Sequence, residues 1–337
     1  MPGERQMPTV RLRRLAAELP LDRLERMTRV VPLAAVPEVL AAGLTPTVYR
    51  PEGVAALAAA AEDQGRSAVG VHLKVDTGMH RVGADPDRAV DLALALTASG
   101  GLRLEGLWTH LAAADELAHP FTAEQLARFE EVRGRLRAQG IVPPLVHVAN
   151  SAGALSHPRA RYDLVRCGIS LYGYTPFARG DLPAGAGEVP LRPVLSLRAR
   201  VSLVRELAAG ERPSYGLRRP LQQRSWVATV PVGYADGVPR GLLDGGVGAL
   251  VGGRRRPLAG AVTMDQIVLD CGPDPDVAPG DEVVLIGNQG GERVGADDWA
   301  AALGTISYEV LCGIGARVPR VPVRGGRPVV GAGSGGL

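Results

Sequence analysis

From residue 30 to about residue 187, short apolar runs alternate with longer segments whose charges recur at helical spacing. The runs Arg29–Leu33, Thr45–Tyr49, Ala68–Val75, Leu104–Leu111, Leu145–Asn150 and Leu164–Ser170 read as strands. Between them, Glu52–Gln64, Pro86–Ala98 and Thr122–Gln139 are rich in alanine and leucine and predict helices. Such alternation predicts a parallel sheet covered by helices. After the Gly-, Pro- and Ala-rich stretch Phe177–Val189 the pattern changes. Val194–Leu207, Trp226–Pro231, Ala249–Val251, Gln266–Asp270 and Glu282–Ile286 are β-branched runs between Gly, Pro and Asp turns. They predict a mainly antiparallel β domain with one short helix near Ala296–Leu303. The expected division is an unassigned Arg-rich segment at 1–29, a β/α unit at 30–187, a β domain at 188–324 and a flexible tail at 325–337.

Composition narrows the class. The chain has 337 residues, a hydrophobic fraction of 46% and a net charge of +3. No apolar run approaches membrane-spanning length, and the arginines scattered through 1–29 interrupt any secretory signal, so a soluble, cytoplasmic protein is expected. No basic block is paired with aromatics, which argues against nucleic-acid binding. Cys167, Cys271 and Cys312 are far apart, without metal-type spacing, and read as reduced thiols. One bias stands out: of the 38 basic residues a single one, Lys74, is lysine. Where arginine fills nearly every cationic position, a surviving lysine points to a place that a guanidinium cannot serve.

Polar residues follow several of the expected parallel strands, and the C-terminal strand ends of a β/α barrel build its active site. They are Lys74, Asp76, Thr77 and Arg81, then His110, then Asn150 and Ser151, and finally Arg166, Gly168 and Ile169. Each has a plainer reading. The Lys-Val-Asp-Thr-Gly-Met segment could be a strand entering a turn. His110 could be a hydrogen-bonded core histidine, and Asn150-Ser151 a helix cap. A cap with free N–H groups is also a phosphate site. Arg166 lies inside the apolar run Leu-Val-Arg-Cys-Gly-Ile and needs a partner to be there at all.

The segments Lys-Val-Asp-Thr-Gly-Met-His-Arg-Val-Gly (74–83), Thr-His-Leu-Ala-Ala-Ala-Asp (109–115), His-Val-Ala-Asn-Ser-Ala (147–152) and Val-Arg-Cys-Gly-Ile-Ser-Leu-Tyr-Gly (165–173) resemble alanine racemase motifs in their usual order. So do Ser-Tyr-Gly (214–216), Val-Gly-Tyr-Ala-Asp-Gly (232–237), Met-Asp-Gln (264–266) and Ile-Ser-Tyr-Glu-Val (306–310), and the likeness runs from about residue 40 to residue 322. The resemblance implies a TIM-type β/α barrel followed by a mainly antiparallel β domain, and pyridoxal 5'-phosphate as cofactor. It implies a homodimer with shared sites, which interconverts L- and D-alanine and supplies D-alanine for peptidoglycan. Ser151, Gly168, Ile169 and Tyr308 would hold the cofactor phosphate, and Arg166 would face the pyridine nitrogen. Tyr215 would be a catalytic base reaching into the partner's barrel, with His110 between it and Arg166. Arg81 would lie near the substrate carboxylate, oriented by a carbamylated Lys74. Met264 and Asp265 would come from the partner chain, and Tyr234 would line the entrance.

The sequence departs from the family in one respect. The lysine that carries the cofactor as a Schiff base sits, in the family, at the end of the first barrel strand in a motif like Val-Lys-Ala-Asn-Ala-Tyr-Gly-His-Gly. Nothing in this chain resembles that motif, and the expected match begins in the third or fourth β/α unit. Residues 1–29 match nothing in the family. A truncated, frame-disrupted or wrongly started gene is the expectation. The barrel is then incomplete, with open sheet edges that favour association or poor solubility. The resemblance therefore predicts an alanine racemase type of chain that is inactive as written. The alternative is a non-catalytic remnant that binds ligand or a partner subunit without turnover.

Overall fold

A computed structural model describes residues 27–30, 33–178, 190–325 and 327–329 of the chain. They form two compact units, one reaching to Ser170 and including Thr175–Pro190, the other made of Leu171–Tyr174 and the chain from Leu191 onward.

The first unit is a parallel sheet of β1 (Met27–Val30), β2 (Thr45–Val48), β3 (Val69–Lys74), β4 (Leu102–Trp108) and β5 (Leu145–His147), paired in that order. Helices Pro51–Asp63, Ala89–Ala98 and Phe121–Ala138 follow β2, β3 and β4. The first begins with Pro51, whose missing N–H costs nothing at that position, and buries Val54, Leu57, Ala60 and Ala61 at three- and four-residue spacing. With Leu96, Phe129 and Leu136 of the other helices, these residues pack on Val71, Leu73, Leu107 and Val146 of the sheet. Strand alternation sends the neighbouring residues to the other face. There His72 and Lys74 of β3 are buried at 2% and 3% exposure, and His147 of β5 at 0%. A shift of register between Val71 and His72 brings Gly106, rather than Glu105, opposite His72. Among the described residues β1 and β5 are the outer strands of this parallel sheet, the arrangement of a β/α barrel domain.

The second unit is antiparallel. One sheet runs β10 (Arg254–Arg256), β9 (Ala249–Val251), β12 (Glu282–Gln289) and β13 (Glu292–Val294), with β6 (Leu197–Arg200) also on β12. A second sheet runs β11 (Ile267–Gly272), β8 (Ser225–Val230) and β7 (Leu203–Leu207). Helix Ala296–Leu303 occupies the expected residues, because Asp298 accepts from the Gly295 N–H at its start and Gly304 ends it with φ +66°.

Three expectations need correction. Leu164–Ser170 is not a strand. Leu164 makes a single parallel bridge to His147, Asp163 N and Arg166 N donate to Val146 O and Ala149 O, and the chain then turns as Gly168 N donates to Ser151 Oγ. Val194–Leu207 divides into β6 and β7. The 325–337 tail is structured in part, since Val323–Arg324 (β14) pairs with Arg327–Pro328 (β15). Residues 1–26, most of the Phe177–Val189 stretch and the chain beyond Val329 lie outside the described residues. Among the described residues, no helix is long and apolar enough to cross a membrane.

Candidate active site

At the C-terminal end of β3 the chain closes a short loop on itself. Asp76 N donates to Ala84 O and Ala84 N to Lys74 O, both at 2.8 Å, while Asp76 Oδ1 accepts from Gly78 N and His80 N. Gly83 permits this closure: a Cβ there would come within 2.5 Å of Asp76 N, and its φ is +153°. The Asp-Thr-Gly segment is thus both a turn and the mount for Arg81, which is exposed and makes no ion pair among the described residues.

Lys74 points the other way, into the unit. Its Nζ lies 4.6 Å from the centre of the Trp108 ring, and the Arg166 guanidinium lies 4.6 Å from the same ring. Burial, and then the fields of Arg81 and Arg166, lower the Lys74 pKa to about 8. The amine is therefore partly neutral near physiological pH, the form that reacts as a nucleophile.

Arg166 is the centre of the site. Its Nη1 donates to His147 Nδ1 at 2.7 Å. Its Nη2 donates to Thr109 O at 2.8 Å, Val148 O at 3.0 Å and His110 Nδ1 at 3.2 Å. All four partners are neutral acceptors. The partner that the sequence demanded for this buried arginine is thus a ring of carbonyls and imidazoles, and no carboxylate pairs with it among the described residues. Burial lowers its pKa only to about 10, so it stays charged. His110 is more than a core histidine, because it lies on this guanidinium. Burial, then Arg166, Arg81 and Lys74, lower its pKa to about 4 and keep it neutral. The backbone around it is fixed by Gln125, which is fully buried on helix Phe121–Ala138. Gln125 donates to His110 O at 3.0 Å and accepts from Ala112 N at 2.8 Å.

The cap reading of Asn150-Ser151 holds. Asn150 Oδ1 accepts from Gly153 N at 2.9 Å and caps helix Ser151–Ser156. Ser151 Oγ accepts from Gly168 N at 2.8 Å and Ser170 N at 3.5 Å, which leaves its own proton to donate. Beside it Ser170 Oγ is buried without a partner among the described residues. Ser151 Oγ thus ties the Gly168–Ser170 backbone to the start of the helix.

In the second unit Tyr215, Tyr234, Met264 and Tyr308 are all substantially exposed. Tyr215 sits in a turn in which Ser214, Gly216 and Leu217 all have positive φ, at 70°, 75° and 46°, and Ser214 Oγ donates to Ala261 O. Tyr234 N and Ala235 N donate to Thr263 O and Met264 O, both at 3.0 Å. Arg317 bridges Asp236 and Asp265 at 2.9 and 2.7 Å. The structure thus groups Lys74, Arg81, His110, Arg166, Ser151, Gly168 and Ile169 on one unit. It brings Tyr234, Met264 and Asp265 together on the other. Trp108, Gln125, Ser170 and Arg317 were not singled out from the sequence. Of these only Trp108 carried a signal, as the aromatic directly before Thr109-His110.

The alanine racemase N-terminal domain profile matches residues 12–176 and the C-terminal domain profile residues 194–322. The match starts well before residue 40, so the second half of the Arg-rich segment is not foreign to the family as its composition suggested. The alanine racemase of Symbiobacterium thermophilum is 47% identical over 250 residues, which are 74% of this chain and 65% of that protein. The chain thus spans about two thirds of the length of this curated relative. The solved alanine racemase of Clostridium difficile 630 superposes with a TM-score of 0.82 at 33% identity, over 90% of this chain and 77% of that one. That of Bacillus anthracis, solved with bound L-Ala-P, gives 0.79 at 34% identity over 89% and 75%. By these matches in both halves, and by the fold they share, this chain belongs to the alanine racemase family.

Proposed function

We propose that the chain carries the cofactor and substrate frame of an alanine racemase, takes pyridoxal 5'-phosphate and alanine, and does not turn alanine over. The observation that carries this reading is the single lysine. Lys74 is packed on Trp108 between the fields of two arginines, on the strand that the family resemblance gives to a different role. The remaining groups suit the cofactor without a covalent link. By the family resemblance Ser151, Gly168, Ile169 and Tyr308 would hold the phosphate, and Ser151 Oγ, which accepts from Gly168 N and Ser170 N, keeps its own proton to donate to it. Arg166 keeps its Nε–H free of described partners and would hold it toward the pyridine nitrogen.

When bound, pyridoxal phosphate supplies an electron sink that makes an amino acid's α-proton removable. The protein's part is to orient and to hold protons. Arg166 does not release its proton, because it stays charged to about pH 10. Arg81, which makes no ion pair among the described residues, would offer its cation to the substrate carboxylate. Tyr215 would be the base on one face, and His110 would act on its proton affinity. The lysine that would serve as the opposite base and as the anchor has no counterpart. Tyr215, Met264, Asp265 and Tyr234 would act on a second copy of the chain in a homodimer, which suits their exposure. The place of action would be the cytoplasm, where D-alanine is made for the wall.

Purified protein mixed with pyridoxal 5'-phosphate is expected to retain it through gel filtration. It is expected to lose it on denaturation after borohydride treatment, and to form no D-alanine. Cofactor fixed to Lys74 by borohydride, together with racemisation, would overturn the reading.

The same reading makes Lys74 a carbamate. The neutral amine attacks carbon dioxide, the Nζ–C bond forms, and one proton leaves to solvent. The product replaces a cation among Arg81 and Arg166 by an anion, and it offers an oxygen to the Trp108 Nε1–H, which is buried without an acceptor among the described residues. Protein equilibrated with 13C-labelled bicarbonate should show one slowly exchanging carbamate carbon resonance, lost in Lys74→Arg. An unlabelled spectrum at neutral pH would refute it.

A further inference from the structure

His72 lies outside every motif that the family reading uses, yet it is buried and bonded to the centre of the site. Its Nδ1 is 2.9 Å from His147 Nε2, and His147 Nδ1 is 2.7 Å from Arg166 Nη1. Arginine has donors only, so the guanidinium fixes every proton in this chain. His147 Nδ1 must be bare, which places its proton on Nε2. That N–H donates to His72, so His72 Nδ1 is bare too and its proton is also on Nε2. By the same rule His110 Nδ1, which accepts from Arg166 Nη2, is bare. The arrangement holds only while all three rings are neutral.

The backbone has been shaped to allow it. His72 and His147 stand on β3 and β5, with β4 between them, a separation of roughly 10 Å between strand axes. The His72 ring crosses β4 over Gly106, its register partner. A Cβ on Gly106 would come within 2.5 Å of His72 Cε1 and Nδ1 and 2.7 Å of Cγ. Next to this slot, Trp108 stacks on His147 at 5.4 Å between centroids, 18° from coplanar, and closes the other side of the ring. Only a residue without a side chain at 106 lets an imidazole on β3 reach β5.

We propose that His72 is a positioning residue: seated in the Gly106 slot, it accepts the His147 Nε2–H, fixes the tautomer of His147, and so holds Arg166 as a donor aimed at its ligand. Without that acceptor, His147 is free to place its proton on Nδ1, where it meets an arginine N–H head-on and pushes the guanidinium out of register. The ligand arm of this proposal rests on the reading of Arg166 as the contact to pyridoxal phosphate; the tautomer arm does not.

The test is long-range proton–nitrogen NMR of the imidazoles in the full-length protein, without and with pyridoxal 5'-phosphate. The expected pattern is Nε2-protonated, Nδ1-bare rings for His72, His147 and His110, unchanged from about pH 8 to about pH 6. His72→Leu removes the acceptor, and Gly106→Ala displaces the ring while keeping it. In both, His147 should become a tautomer mixture and the Arg166 guanidinium protons should exchange faster. His72→Gln, whose amide oxygen can accept, should restore both signals. Equilibrium dialysis should show pyridoxal phosphate binding weakened about tenfold in His72→Leu and changed by less than about twofold in His72→Gln. A protonated Nδ1 on His147 in the unaltered protein overturns the proposal whatever the variants do. So does a His72→Leu protein with unchanged His147 and Arg166 signals. If the unaltered protein shows the expected tautomers and binds no pyridoxal phosphate, the cofactor reading falls and the positioning role stands.

Discussion

Acidification from pH ~7 to pH ~4.5 is expected to cost the β/α unit roughly 5 kcal/mol of stability, from His72 and His147 together. Burial is the largest cause of both depressed pKa values. His72 falls to about 4, with Glu105 opposing and Arg166 and Arg103 assisting, and His147 to about 2, with Arg166 and His72 assisting. Unfolded, these two histidines take up their protons near pH ~6.5, whereas in the folded chain they refuse them until well below. The unfolded state therefore binds more protons throughout this window, and stability falls as the pH falls. The contribution is fully present above pH ~6.5 and shrinks down to the folded pKa values. The geometry gives the same sign, since each added proton would sit on a nitrogen that now accepts a hydrogen bond. His110, half-buried beside Arg166, Arg81 and Lys74, is depressed in the same way and adds a further loss in the same direction. Urea midpoints measured across this range should drop steeply below pH ~6, ahead of the carboxylates. A flat profile between pH ~7 and pH ~5 would show that the rings are not held neutral.

How far this site could be read from the chain depends on the range of each interaction. Helix Ala296–Leu303 was legible to the residue because its signals are local: Gly295 and Asp298 at the start, Gly304 at the end. Lys74, His110, Ser151 and Arg166 were legible as a set because strand ends carry sites in β/α folds, and each lies at or just beyond such an end. Leu164–Ser170 was misread because apolar content alone cannot distinguish a strand from a segment that bonds one neighbour and turns away. What turns it is the Ser151 hydroxyl, 17 residues earlier. The His72–His147 bond spans 75 residues and depends on a register shift in β4 and on an absent side chain at Gly106. Neither leaves a periodicity to find. The arginine gave the one usable hint, since a guanidinium in an apolar run demands acceptors. The sequence could state the demand without saying that imidazoles meet it.

Arg166→Met is expected to destabilise the same unit by about 3 kcal/mol at neutral pH, because methionine fills much of the volume and none of the hydrogen bonds. Thr109 O, Val148 O, His147 Nδ1 and His110 Nδ1 all lose a donor at once. Each buried acceptor left unmet costs about 1–3 kcal/mol, and relief from burying a charge offsets part of the sum. The variant should also respond less to acid than the unaltered protein. With the guanidinium gone, His147 Nδ1 is open to a proton and the nearest positive charge is removed, so its pKa rises toward the ordinary value. Burial still holds it down, which makes the acid profile shallower without abolishing it. Arg166→Lys keeps the charge but gathers its donors on one nitrogen, too close together for acceptors spread around a planar fork, so it should fall between the two. Urea unfolding of the three proteins across the pH range measures both effects. A loss under about 1 kcal/mol for Arg166→Met, or an acid response as steep as that of the unaltered chain, would mean that the guanidinium does not organise this network.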